Sequence, residues 1–170
     1  MLEIIVVLLI VLILAAFLLP NYPKIIGAVQ KAVCVSNMRS IHVGLSSYLQ
    51  DHRDVWPQGP APEEERAWEN FWVTTLEQQG VAPRTWRCPA ISARISSGPA
   101  TPDGGRPPEI AMHYAPTMFD ATRGIARRWT TQPWLIERAD VHGAGPLICF
   151  PDGSVKDLRR VLAERPPQPQ

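Results

Sequence analysis

The chain has 170 residues, a formal net charge of +1 and only 19% charged residues, so it carries no basic stripe of the kind that marks a nucleic-acid interface. Three cysteines far apart in sequence match no zinc-finger spacing, and neither a metal nor a cofactor is expected from them. Eighteen prolines announce long irregular stretches between short elements, and six tryptophans supply bulky apolar material for a small core.

From Ile4 to Leu19 the chain is unbroken apolar; with Met1 and Leu2 it approaches the roughly 20 residues that cross a bilayer, which predicts a transmembrane half-helix over residues 1–22. A cleaved secretory signal fits less well, because no basic stretch precedes the run and Glu3 stands where positive charge belongs. Past Pro20 and Pro23, helical periodicity resumes: Ile26, Val29, Val33, Met38, Ile41, Leu45 and Leu49 draw one apolar face from about Lys24 to Gln50. The expected element is therefore a kinked helix, its second half the spine of a domain over residues 23–164. Asp51 to Pro60 is turn-rich and ends this helix, and Trp68, Phe71, Trp72 and Leu76 predict a shorter helix within Pro62 to Gln79. Ser96 to Pro108 reads as a surface loop. Strand-like runs follow at Ile110–Tyr114, Trp134–Glu137, Pro146–Phe150 and Ser154–Leu158, the last two flanking a Pro151-Asp152-Gly153 hairpin turn. Residues 165–170 read as a disordered tail. The fold class is α+β: a long N-terminal helix packed on a small antiparallel sheet.

Two places in the chain resemble one known family. Glu3 followed by the apolar run, Ala15-Ala16 and Pro20 is similar to the N-terminal helix of type IV pilins and type II secretion pseudopilins. His142, separated by nine residues from Asp152-Gly153, resembles the C-terminal signature of a prepilin-type subgroup. Cys34-Val-Ser-Asn-Met-Arg-Ser-Ile and Trp86-Arg-Cys-Pro resemble two further motifs of that group, whereas Pro57 to Thr85 has no counterpart. In the family the glutamate is the fifth residue of the mature chain and follows a Gly-ended basic leader; here it is the third. The resemblance implies a pilin-like subunit that polymerises through its N-terminal helix with itself or related subunits. It implies partnership with an assembly machinery, and with a prepilin peptidase where a leader is present. It also implies a single-pass protein of the bacterial inner membrane, its domain in the periplasm and its assembled form a filament. The alternative is a membrane-anchored binding or scaffold domain that never polymerises.

The candidate functional residues follow. Glu3 is costly in an apolar surround unless paired; the resemblance implies that it meets the N-terminal amine of a neighbouring subunit, against the plainer reading of a carboxylate in the headgroup region. Pro20 is read either as a point where the helix loosens on assembly or as an ordinary kink. A catalytic role for His142 would need Cys149 as nucleophile, but that thiol lies in an apolar strand, where it is an inert small hydrophobe. His142, Asp152 and Gly153 are therefore assigned a structural part, the imidazole tying a loop to the sheet and Asp152-Gly153 forming the turn. The resemblance to secretion pseudopilins, some of which bind calcium near this end, leaves Asp152 open as a calcium ligand, although Asp140, Asp152 and Asp157 are scattered and form no dense ligand run. The positions of Cys34 in the spine and Cys88 in the Cys-Pro loop, with an oxidising compartment, pair these two in a disulfide and leave Cys149 reduced.

Overall fold

A computed structural model describes residues 2–98 and 112–164, apart from the side chains of residues 2 and 17–21. The first element, α1, runs without interruption over Leu2–Asp51. Within its second half, Cys34, Met38, Ile41, Leu45 and Leu49 are fully or almost fully buried, at the three- and four-residue steps that place them on one face. Gly44 sits on the same side, where an added Cβ would run into Val81, so its missing side chain lets the following chain pack closely against α1. The helix stops where Arg53 and Asp54 adopt left-handed φ values of 57° and 59°, and the amide of Asp54 closes back onto the Leu49 carbonyl at 2.7 Å.

Short elements then wrap this spine. Helix α2 (Glu65–Glu77) buries Trp68, Trp72 and Leu76; a 3₁₀ turn (Pro83–Trp86) leads to Cys88, and α3 (Pro89–Ser97) starts with proline at its first position, where a missing N–H costs nothing. Strands β1 (Tyr114–Pro116), β2 (Leu135–Glu137), β3 (Leu147–Cys149) and β4 (Val155–Asp157) form an antiparallel sheet in the order β1-β2-β3-β4, with a one-turn helix α4 (Ile125–Arg128) between β1 and β2 and α5 (Leu158–Glu164) after β4. The core between sheet and spine centres on aromatic rings: Trp56 lies 4.8 Å from Phe119, 5.3 Å from Trp134 and 6.0 Å from Trp72, all in tilted or edge-on arrangements.

Two expectations are corrected. Among the described residues no helix is long and apolar enough to cross a membrane, so the transmembrane half-helix over 1–22 is not supported, nor is a single-pass inner-membrane location that depends on it. The physical reason is length: Glu3 bounds the apolar run on one side and Pro20-Asn21 on the other, and Ile4–Leu19 spans about 24 Å of helix against a hydrocarbon core of about 30 Å. The residues read as a tail, 165–170, lie outside the described residues, as does most of the loop at 96–108.

Candidate functional site

The two halves of α1 differ in their surroundings. Every residue from Ile4 to Leu14 is exposed, from 69% for Leu12 to 48% for Val6, and Ile25, Ile26, Val29 and Val33 are exposed as well. Since consecutive residues point around the whole helix, the apolar surface is continuous on all sides and not confined to a stripe. Glu3 lies at its start. Pro20 falls within the helical backbone of α1, and its side chain lies outside the described residues.

Where the second half of α1 enters the domain, the chain gathers a buried polar cluster. Cys34 on α1 and Cys88, at the entry to α3, are joined by a disulfide with their Cα atoms 5.2 Å apart. The Cys88 segment is held in place by Asn37, whose side-chain amide donates to the Arg87 carbonyl at 3.0 Å, and by the Cys88 amide, which donates to His113 Nδ1 at 2.8 Å. Two further side chains converge on the disulfide. Glu137 ends β2, its side chain wholly buried, and its Oε2 accepts the Leu147 amide at 3.2 Å. His142 comes from the β2–β3 loop, its Nε2 lying 3.7 Å from Cys88 Sγ and 3.3 Å from Glu137 Oε1. That Oε1 makes no hydrogen bond.

Burial dominates the electrostatics here. Desolvation, aided by Asp140 and Asp157 and opposed by the Leu147 amide and Lys31, pushes the Glu137 carboxyl up to about 7. The His142 imidazole is lowered, first by burial and then by Lys31. Lys31 in turn pairs with Asp157 at 2.6 Å. Cys34, Cys88, Glu137 and His142 each offer one atom, all within 4.8 Å of one another, and among the described residues they are the group whose arrangement could hold a metal ion. A Cys-His-Glu relay is a poor fit, because Cys88 is held in the disulfide and its sulfur and the carboxyl both face the same imidazole nitrogen, whereas a relay needs opposite ones.

Asp152 and Gly153 lie apart from this cluster, in the turn between β3 and β4. Asp152 Oδ1 accepts the Ser154 amide at 2.9 Å; the Ser154 side chain first, and this amide next, lower the carboxyl, and Gly153 takes a φ of 76°. His42 on α1 donates from Nε2 to the Pro151 carbonyl at 2.9 Å and stacks on Trp134 at 4.8 Å, so it straps the turn to the spine. Its only trace in the sequence is a histidine beside Ile41 on the apolar face. Cys149 is buried in β3, its thiol pushed up to about 12, chiefly by desolvation. Asp140, Asp152 and Asp157 point to separate partners: the Gly143 amide, the Ser154 amide and Lys31.

Compared with family models, with curated proteins and with solved structures, the chain has no match in any of the three.

Proposed function

We propose that the protein is a pilin-like structural subunit that assembles through the first half of α1 with copies of itself or with related subunits. The observation that carries this reading is the all-round exposure of Ile4 to Leu14. A helix apolar on every side is stable only when surrounded, and a run of about 24 Å is matched by neighbouring helices of the same kind. Glu3 supplies the polar group at the end of that surface, where one charged contact fixes axial register between otherwise featureless helices. The similarity of Glu3, Ala15-Ala16 and Pro20 to the pilin helix, and of His142, Asp152 and Gly153 to the C-terminal signature, supports the same reading.

Sedimentation velocity and negative-stain microscopy on the full chain test it, beside an Ile10→Asp variant that places a charge mid-way along the apolar surface. The wild type is expected to form extended assemblies, and the variant to remain a folded monomer. Monomeric wild type at the same concentrations, or equal assembly of the variant, would favour a scaffold domain that does not polymerise.

A further inference from the structure

We propose that Cys34, Cys88, His142 and Glu137 form a tetrahedral site for zinc or a zinc-like divalent ion that opens only when the Cys34–Cys88 disulfide is reduced. Four lines of geometry converge on it. The ligand types, two thiolates, an imidazole and a carboxylate, are those zinc takes. Two of the six ligand-to-ligand separations lie close to the edges of such a site: Nε2 to Oε1 is 3.3 Å and Sγ of Cys88 to Nε2 is 3.7 Å, and all four atoms lie within 4.8 Å of one another. A tetrahedron with the usual zinc bond lengths has edges of about 3.3 Å between nitrogen and oxygen and about 3.5 Å between sulfur and nitrogen. Glu137 Oε1 is wholly buried, makes no hydrogen bond and points at the His142 imidazole 3.3 Å away, and a bound cation would stabilise such a carboxyl in its ionised form. The Cys88 sulfur and the Glu137 carboxyl both face the same imidazole nitrogen, which is the arrangement of ligands around a common point.

The surroundings fit as well. Glu137 Oε2 is oriented by the Leu147 amide, and the Cys88 amide is fixed by His113, the outer contacts that hold ligands in place. Lys31, the cation that faces His142, is neutralised by Asp157. A surface cleft of about 370 Å³ is lined by Lys24, Lys31, Val141 and His142, so the cluster lies one residue's depth from solvent.

The chemistry balances with a dithiol as reductant. Two electrons and two protons pass from the dithiol to the cysteine sulfurs, the Sγ–Sγ bond breaks, and the dithiol leaves as its own disulfide. Metal binding then sends the thiol protons to solvent, with the Glu137 carboxyl proton where one is held, and the sulfurs separate to roughly 3.8 Å across the ion. Exchange with a disulfide oxidant, which takes up two electrons and two protons and leaves as its dithiol, restores the Sγ–Sγ bond and expels the metal, so oxidation state and metal occupancy exclude each other.

Cobalt(II) reports the geometry directly, since tetrahedral thiolate coordination gives intense visible bands and sulfur-to-metal charge transfer. The full chain, oxidised or reduced with a phosphine under anaerobic conditions, is titrated with cobalt and then with zinc. The reduced chain is expected to saturate at one cobalt per chain with tetrahedral bands that zinc bleaches, while the oxidised chain shows none. His142→Ala and the near-isosteric Glu137→Gln should each weaken binding at least about tenfold, and Cys149→Ser should leave it unchanged. Each variant is checked for a native circular-dichroism spectrum in its oxidised form, and if His142→Ala does not fold, Glu137→Gln and the wild-type spectrum decide. No tetrahedral signal from the reduced wild type, an equal signal from the oxidised chain, wild-type affinity in the folded ligand variants, or loss of binding on Cys149→Ser would overturn the site.

Discussion

Glu3, Gly153 and Cys149 show how a single side chain takes its meaning from its surroundings. In the assembly reading, Glu3→Ala leaves the folded domain intact, because Glu3 and the residues that follow it to Leu14 are exposed. It removes the one directional contact between apolar helices, an attraction that strengthens as water is excluded. Mixed with wild type, the variant should enter filaments several-fold less than its share in the monomer pool, as read by mass spectrometry of pelleted assemblies; equal incorporation would remove Glu3 from the interface. Gly153 holds a φ of 76°, and an added Cβ would lie 3.3 Å from the His42 ring, so Gly153→Val meets both backbone strain and a crowded neighbour. Strain of this kind costs about 1–3 kcal/mol, and a fall in Tm of at least about 5 °C is expected. The Cys149 thiol is raised from 9.0 to about 12, so between those values the folded chain keeps a proton that the unfolded chain has lost. Its contribution to stability is therefore complete below pH 9 and declines as pH rises towards 12. Tyr114 is raised by burial too and adds a decline of the same sign. Cys149→Ala should flatten part of the alkaline loss seen in denaturant midpoints measured from pH 8 upward; an unchanged slope would assign the loss elsewhere.

At the scale of elements, the disulfide is the largest single constraint, closing a sequence separation of 54 residues between α1 and α3. Loop-closure entropy for that length corresponds to about 4 kcal/mol, so reduction should lower Tm markedly in the absence of divalent metal; if zinc restores much of the loss, the site proposed above is supported from an independent direction. Most longer elements were legible in the sequence. The apolar steps of α1 and its end at Asp51, the Trp68–Trp72–Leu76 spacing of α2 and the Pro151-Asp152-Gly153 turn are local signals, and each coincides with an element. The 3₁₀ turn at Pro83–Trp86 and helices α3, α4 and α5 were not read, because four to nine residues carry too little periodicity and hold their shape by packing on the spine. The strand read at Ile110–Tyr114 begins in the structure at Tyr114, and residues 110 and 111 lie outside the described ones. The polar cluster was legible only in part. Cys34, Cys88 and His142 stand in recognisable motifs, but nothing local joins them to Glu137, whose alternation in β2 reads as an ordinary strand position until the sheet turns it inward.

The whole molecule has an uneven distribution of contacts along its longest element. Lys31, Cys34, Asn37 and His42 tie the second half of α1 to β4, Cys88, the Arg87 carbonyl and the β3–β4 turn respectively. Among the described residues, Ile4 to Leu14 in the first half present an exposed apolar surface. This asymmetry has a mechanical consequence. Tension applied to the start of α1, as on a subunit held in a filament, reaches the domain first at Lys31 and Cys34. There the load divides between the helix and a covalent shortcut to Cys88. While that bond is intact the chain between them is shielded from stretching, and its 54-residue separation withholds roughly 180 Å of contour length. In single-molecule pulling between the N-terminus and residue 164, reduced molecules should therefore show an unfolding extension longer by about that amount than oxidised ones. Equal extensions would mean that force bypasses Cys34, and with it that the spine does not carry load into the domain.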